Sequence, residues 1–148
     1  MPTLHLICGL PCSGKTTLAK QLERELPALR LSPDEWMYRI VGDGYDTARR
    51  HAVDAVQWEI AARALSLGVN VILENGFWSR SERDNYRARA TSMGVSTKLH
   101  FLDVPLDELR RRLRMRNVES PPDTFHITEA DLMKWAKSFE YPTVEELR

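Results

Sequence analysis

The chain has 148 residues, a usual size for one domain and enough to bury a substantial core. Its 21 basic and 21 acidic residues cancel, so net charge does not indicate a dedicated nucleic-acid binder, although a local basic patch is compatible with one. No apolar run is long enough to cross a membrane, no basic leader is present, and Cys8 and Cys12 lie too close together for a useful disulfide. We therefore expect one soluble, cytoplasmic domain over residues 1–148.

A short apolar run at residues 4–8 leads into a glycine-bounded loop and then a helical pattern. The spacing Gly9-x-x-x-x-Gly14-Lys15-Thr16 is the Walker A pattern. The two glycines allow successive N–H groups to point at phosphate oxygens, the Lys15 ammonium can reach the β- and γ-phosphates, and Thr16 offers a hydroxyl to Mg²⁺. The helix that begins at Lys15 adds its positive dipole end. The predicted nucleotide-binding residues in this loop are Gly9, Pro11, Cys12, Ser13, Gly14, Lys15, Thr16 and Thr17.

A second strand is predicted at residues 28–31, directly before a helix start. Ser32 has the position of an N-cap, Pro33 that of the first helical residue, and Glu35 that of a capping box. Asp34 then lies in the first helical turn, just beyond the carboxyl end of a strand. We interpret Asp34 as the base that takes the proton of an acceptor hydroxyl; the simpler alternative is an acid that only complements the helix dipole.

The longest helical pattern covers residues 46–67, with an inner face predicted from apolar residues at three- and four-residue steps. These are Val53, Val56, Ile60, Ala64 and Leu67. An apolar run at residues 69–73 then predicts a strand covered on both faces. Glu74 ends this strand, where a carboxylate can hold Mg²⁺ or orient the acceptor, the alternative being a solvated strand end. Beside it, Phe77 and Trp78 are predicted to be an exposed aromatic pair suited to an acceptor pocket.

Arginines are concentrated in two of the remaining helices. Ser79 and Glu82 open a helix to about residue 93, whose Arg80, Arg83 and Arg87 could contact an anionic acceptor or form a solvated face. The second arginine group lies in the helix after a strand predicted at residues 97–104.

The helix that begins near Pro105 carries Arg112 and Arg116 one turn apart, immediately before a proline-rich loop. Both arginines could face the nucleotide from a lid at about residues 112–128, with Arg116 stabilising the transferred phosphoryl group. A last helix is predicted at residues 128–139, followed by a short tail. Strands that alternate with helices imply an α/β three-layer sandwich with a parallel sheet of four or five strands.

The segments GLPCSGKTTLAKQL, LSPDEW, VILENGFWSRSERDNYRARA and LHFLDVPLDELRRRLRMRN resemble the small P-loop kinase-like ATPases. That group includes the zeta toxins, chloramphenicol phosphotransferase and the kinase domain of polynucleotide kinase. The resemblance implies the P-loop NTP hydrolase fold, ATP and Mg²⁺ at the loop, Asp34 as the acid after the second strand, and Arg112 and Arg116 in the lid. The polynucleotide kinases often have an arginine three residues after the Asp, where this chain has Met37.

These observations lead to a principal hypothesis, an ATP-dependent phosphotransferase that acts on a hydroxyl of a small molecule. The alternatives are an NTP hydrolase without a dedicated acceptor, a nucleic-acid end-processing kinase, and a nucleotide-binding module without chemistry. The expected catalytic residues are Lys15, Asp34 and Arg116, and the expected metal-binding residues are Thr16 and Glu74. Acceptor identity and oligomeric state stay open at this point.

Overall fold

The fold is centred on a parallel sheet of four strands within the part of the chain that the structure, a computed structural model, describes: residues 1–121 and 125–148. In chain order the elements are β1 (Thr3–Cys8), α1 (Lys15–Glu25), β2 (Ala28–Leu31), α2 (Pro33–Trp36), a π-helical turn (Met37–Val41), α3 (Thr47–Ser66), β3 (Asn70–Gly76), α4 (Arg80–Ser92), β4 (Ser96–Phe101), α5 (Leu106–Glu119) and α6 (Glu129–Ser138).

The spatial strand order is β2-β3-β1-β4, so β1 is an inner strand with β3 and β4 as its neighbours. Leu6 lies opposite Leu73 on β3 and opposite Leu99 on β4. The register shifts between Leu6 and Cys8, which places Cys8 opposite Gly76. Parallel strands joined by helices, with helices on both faces of the sheet, confirm the predicted α/β class and parallel sheet.

Alternate residues of β1 are buried on opposite faces of the sheet. Ile7 packs with Ala19 of α1 and Ile72 of β3 on one face. Leu4, Leu6 and Cys8 belong to the larger core on the other face, to which α3, α4, α5 and α6 contribute. Because both faces are covered, the polar side chains that follow the strands are left at the carboxyl edge of the sheet.

The inner face predicted for α3 is correct at Val53, Ile60 and Ala64, which are buried or pack against the core, and wrong at Val56 and Leu67. The buried residues are Val53, Gln57, Ala61 and Leu65, whereas Val56 is 45% exposed and Leu67 is 80% exposed. Leu67 follows the last helical residue as the C-cap, and Gln57 can be buried because its Nε2 donates to the Ser32 carbonyl at 3.1 Å. One position of the core face is thus a polar residue whose amide N–H is hydrogen-bonded. Apolar periodicity alone therefore does not predict this face correctly.

The predicted helix starts are confirmed at three N-caps. Ser32, Ser79 and Thr128 accept from the backbone N–H groups of residues 35, 82 and 131 at 3.3, 3.1 and 3.1 Å. The Glu35 carboxylate does not complete a capping box, because it forms an ion pair with Arg30 at 2.9 Å. The caps place Asp34 in the first turn of α2, as expected.

Strand ends differ from the predictions by a few residues. β3 continues to Gly76, so Glu74 lies within the strand and not after it, and β4 ends at Phe101. The lid predicted over residues 112–128 includes residues 122–124, which lie outside the described residues, and it stays a prediction together with the single-domain assignment. No helix in the described ranges is long and apolar enough to span a membrane.

Candidate functional site

The loop between β1 and α1 has the backbone conformation of an anion-binding turn. Cys12 has a φ of 68° and Gly14 a φ of 98°, and α1 begins at Lys15. Ser13 N donates to the Leu10 carbonyl at 3.2 Å, which closes the turn. Left-handed residues next to a helix N-terminus orient successive N–H groups toward a shared centre. The loop is therefore shaped to hold a phosphate group.

The Lys15 side chain is folded over its own loop. Its Nζ donates to the Gly9 carbonyl at 3.1 Å and to the Leu10 carbonyl at 2.9 Å. Burial lowers the pKa of Lys15, while the charges of Asp34 and Glu74 act in the opposite direction. The ammonium group thus lies on the loop carbonyls and lines the same cleft as Asp34 and Glu74, where it can neutralise the charge of a bound phosphate.

Glu74 joins three elements at the carboxyl edge of the sheet. Its side chain is only 3% exposed, and it accepts from Thr16 Oγ1 at 2.7 Å and from Arg30 Nη1 at 2.6 Å. Arg30 also pairs with Glu35, so Arg30 links β2, β3 and α2. The sequence prediction overlooked Arg30, which is a single basic residue in a short apolar strand and matches no motif.

Thr16 and Glu74 fit the requirements of Mg²⁺ in a nucleotide site. The hydroxyl and the carboxylate are hard oxygen donors, and they are already in contact. The described ranges contain no group of three or more His, Cys, Asp or Glu side chains that could hold a metal. Mg²⁺ commonly takes one or two protein ligands and completes its shell with phosphate oxygens and water, so two donors suffice.

Asp34 faces the phosphate loop from the first turn of α2, with its side chain 60% exposed. Arg50 Nη1 of α3 donates to its Oδ1 at 2.9 Å, and Arg50 Nε lies 3.4 Å from Asp54. This contact gives the Asp34 carboxylate a charged hydrogen-bond donor at the cleft wall. Arg50 was not among the predicted site residues, because sequence spacing does not show that α3 returns to α2.

Arg112 and Arg116 reach the phosphate loop from α5. Arg112 Nη1 donates to the Cys12 carbonyl at 3.1 Å, and Arg116 Nη1 lies 3.6 Å from Cys12 Sγ. Arg116 Nη2 also donates to the Phe125 carbonyl at 3.3 Å. The neighbouring arginines of α5 pair with acidic residues on the surface: Arg111 with Glu108, and Arg110 and Arg114 with Glu129.

One open cleft of about 1040 Å³ connects the predicted residues from the phosphate loop to the acceptor side. Asp34 and Trp78 contribute to its walls together with Tyr45 and Trp135. From the phosphate side it is lined by Pro11, Cys12, Gly14, Lys15, Thr16, Thr17, Glu74, Arg112 and Arg116. Gly9 and Ser13 are buried and do not line the cleft.

The prediction of an exposed Phe77–Trp78 pair is wrong for Phe77. Phe77 has a φ of 51° and is completely buried, with its ring 5.1 Å from that of Tyr86 in an edge-to-face contact. Trp78 is half-buried at the cleft wall, and its Nε1 donates to the Gly9 carbonyl at 3.0 Å. The left-handed turn after β3 directs the two neighbouring rings to different places.

The arginines of α4 do not line the cleft. Arg83 is fully buried, and its guanidinium donates to Glu146 at 2.9 Å and to the Phe77 carbonyl at 2.8 Å. Arg87 donates to Glu146 at 2.8 Å. Burial acts to raise the pKa of Glu146, but hydrogen bonds from Arg83, the Thr143 backbone and Arg87 outweigh it and hold the pKa at about 2. The sequence does not predict Glu146 as the partner of these arginines, because Glu146 lies near the C-terminus, far from α4 in the chain.

The parallel sheet carries this loop between an inner strand and a helix, with a lysine, a threonine hydroxyl and a buried carboxylate around it. This arrangement defines a P-loop fold. A family model described as an AAA domain matches residues 4–142. The chain belongs to this family, and the resemblance to small P-loop kinase-like ATPases is confirmed.

Solved structures show the same fold. A chain of the Pnkp1/Rnl/Hen1 RNA repair complex has a TM-score of 0.80 and 22% identity over 93% of this chain and 43% of that chain. A putative kinase from Chloroflexus aurantiacus has a TM-score of 0.77 and 22% identity over 96% and 82% of the two chains. Chaetomium thermophilum Kti12, in complex with ADP-AlF3, has a TM-score of 0.73 and 19% identity over 95% and 81%. The chain thus spans less than half of the repair-complex chain.

Proposed function

We propose that the protein is an ATP-dependent phosphotransferase that moves the γ-phosphoryl group of ATP to a hydroxyl of a small molecule. The observation that carries this proposal is the position of the Asp34 carboxylate, which faces the phosphate loop and Lys15 across one cleft. A protein that only binds nucleotide needs no base on the far side of the phosphate site. A kinase needs one, within reach of the attacking hydroxyl.

Each group of residues has a separate role in the proposed transfer. The loop N–H groups and Lys15 bind the β- and γ-phosphates, and Arg112 and Arg116 stabilise charge on the transferred group. Asp34 takes the proton of the acceptor hydroxyl as its oxygen forms a bond to the γ-phosphorus; the bond from that phosphorus to the β–γ bridging oxygen breaks, and ADP leaves. Thr16 and Glu74 would hold Mg²⁺, which would supply positive charge against the phosphate oxygens.

A small acceptor is favoured over a nucleic acid by contacts across the cleft mouth. The Tyr45 hydroxyl donates to Asp131 Oδ2 of α6 at 2.8 Å, and the Tyr38 ring lies 5.5 Å from that of Phe125. These contacts connect the segment before α3 to the segment that leads into α6, on the side of the cleft lined by Tyr45 and Phe125. The α4 arginines that could have contacted a phosphate backbone instead pair with Glu146 and Asp84.

The Asp34→Asn variant tests the base directly. We expect turnover to fall by about 10²- to 10⁴-fold while ATP affinity is nearly kept, because the amide cannot accept the proton but has the same shape. Turnover is measured as ADP release from ATP in the presence of pooled hydroxyl compounds, and affinity by calorimetry.

Asp107→Asn is the matched control, since Asp107 is an exposed first-turn acid of α5 that does not line the cleft. It should leave turnover unchanged. Full activity in Asp34→Asn would show that Asp34 is not the general base and only complements the dipole of α2. That result would contradict the proposal.

Arg116→Ala should reduce turnover more than ATP affinity, because a guanidinium that stabilises developing charge acts mainly in the transition state. Steady-state kinetics and calorimetry on the same variant separate the two effects. Arg114→Ala is the control, since Arg114 is an exposed neighbour that pairs with Glu129. Equal losses in turnover and affinity would assign Arg116 to plain nucleotide binding.

A further inference from the structure

The first glycine of the phosphate loop is held by a residue from another part of the chain. The Gly9 carbonyl accepts from Trp78 Nε1 at 3.0 Å and from Lys15 Nζ at 3.1 Å. An anion-binding loop requires its N–H groups to face the ligand and its carbonyl oxygens to face elsewhere, because a carbonyl oxygen repels phosphate. When Lys15 turns to a bound phosphate, Trp78 is left as the side-chain donor to this carbonyl.

The turn that carries Trp78 is closely fitted to the loop. Gly76 O accepts from Gly9 N at 3.0 Å, and Gly76 has a φ of 87°. A Cβ at Gly76 would lie 2.8 Å from Trp78 Nε1 and 3.3 Å from the Gly9 carbonyl oxygen. The contact between the Trp78 indole and the loop therefore depends on a glycine at this position.

The C-terminal segment, residues 139–148, fixes the same turn at two points. Glu140 N donates to the Trp78 carbonyl at 2.9 Å. Glu146 accepts from Arg83 Nε at 2.9 Å, and Arg83 Nη1 in turn donates to the Phe77 carbonyl at 2.8 Å. Arg83 is completely buried and the Glu146 side chain is 3% exposed, so water does not compete for these bonds.

We propose that Trp78 and Glu146 are positioning residues for nucleotide binding: the C-terminal segment fixes the turn 76–78, and Trp78 in this turn fixes the Gly9 carbonyl of the phosphate loop. This inference rests on the proposed function, since it takes a nucleotide as the ligand of the loop. Both residues act through the geometry of the loop.

The Trp78→Phe variant tests the last contact, because it keeps the packed ring and removes the indole N–H. Affinity for the ATP analogue AMPPNP with Mg²⁺, measured by calorimetry, should fall about three- to tenfold, the usual effect of one lost hydrogen bond. The ATP KM should rise by a similar factor, with kcat within about twofold. Trp58→Phe is the control: Trp58 contacts Tyr86 and Arg89, and it does not line the cleft.

The Glu146→Gln variant tests the C-terminal connection, with the exposed neighbour Glu145→Gln as its control. Affinity is measured at a temperature where urea unfolding shows that each variant is folded. Glu146→Gln should weaken AMPPNP binding, and combining it with Trp78→Phe should cost less than the sum of the two single losses, because both act through one contact.

Additive losses of AMPPNP affinity in the double variant, or unchanged affinity in folded Trp78→Phe, would overturn the inference. The proposed function would still stand if AMPPNP binding by the wild type depends on Lys15. Absence of AMPPNP binding by the wild type would overturn both.

Discussion

Lys15→Ala should lower ATP affinity by at least about 100-fold, because it removes two or more charge-assisted hydrogen bonds to phosphate at about 1.5–3 kcal/mol each. Lys15 is the one loop residue whose side chain carries a positive charge, and its Nζ is bonded to the loop carbonyls at 3.1 and 2.9 Å, ready to exchange them for phosphate oxygens. Calorimetric titration with ATP and Mg²⁺ measures the loss.

Lys137→Ala serves as the control, since Lys137 is exposed in the last turn of α6. The substitution removes the same charge at a position that does not line the cleft. It should bind ATP as the wild type does. Unchanged affinity in Lys15→Ala would contradict the assignment of the loop as the triphosphate site, whatever the acceptor.

Glu146→Ala should destabilise the fold by about 3–5 kcal/mol, because it leaves the Arg83 guanidinium buried without its counter-charge. Arg83 has no exposed surface, and Glu146 is its carboxylate partner at 2.9 Å. Urea unfolding of the wild type, Glu146→Ala and the exposed control Glu145→Ala measures the difference. A loss below about 1 kcal/mol, the level of a surface pair, would show that the contact is solvated in solution.

The same pair predicts an acid-dependent loss of stability. The carboxyl pKa is held at about 2 in the folded state, against an ordinary value of 4.5, so the pair contributes its full stabilisation above pH 4.5. That contribution should decline as the pH falls from 4.5 to 2. The difference in unfolding free energy between wild type and Glu146→Ala should therefore shrink across this window. A constant difference from pH 7 to pH 3 would contradict the depressed pKa.

Much of the fold could be predicted from the sequence because local signals were strong. The Walker A spacing requires a strand before it and a helix after it, and the caps at Ser32, Ser79 and Thr128 mark helix starts through side-chain bonds a few residues long. The carboxyl-edge rule then placed Asp34 and Glu74 near the loop, where the structure has them.

Two of the misses, Arg83 and Gln57, share one physical cause, which is that the deciding partner lies far away in the chain, whereas Phe77 has a local cause. The sequence around Arg83 does not distinguish it from a solvent-exposed arginine. Arg83 can be buried because the folded C-terminal segment supplies the Glu146 carboxylate. Gln57 is buried because the Ser32 carbonyl accepts its amide N–H. Phe77 turns inward because the residue has a positive φ, which no spacing rule indicates at a non-glycine residue.

A crystal structure with AMPPNP and Mg²⁺ tests the central claim most directly. We predict a γ-phosphate bonded to Lys15 and to loop N–H groups that have no partner within the protein, with the Asp34 carboxylate facing its open side across a space that a hydroxyl group can occupy. A nucleotide bound outside the loop, or a γ-phosphate shielded from Asp34 by protein, would contradict the assignment of the protein as a phosphotransferase.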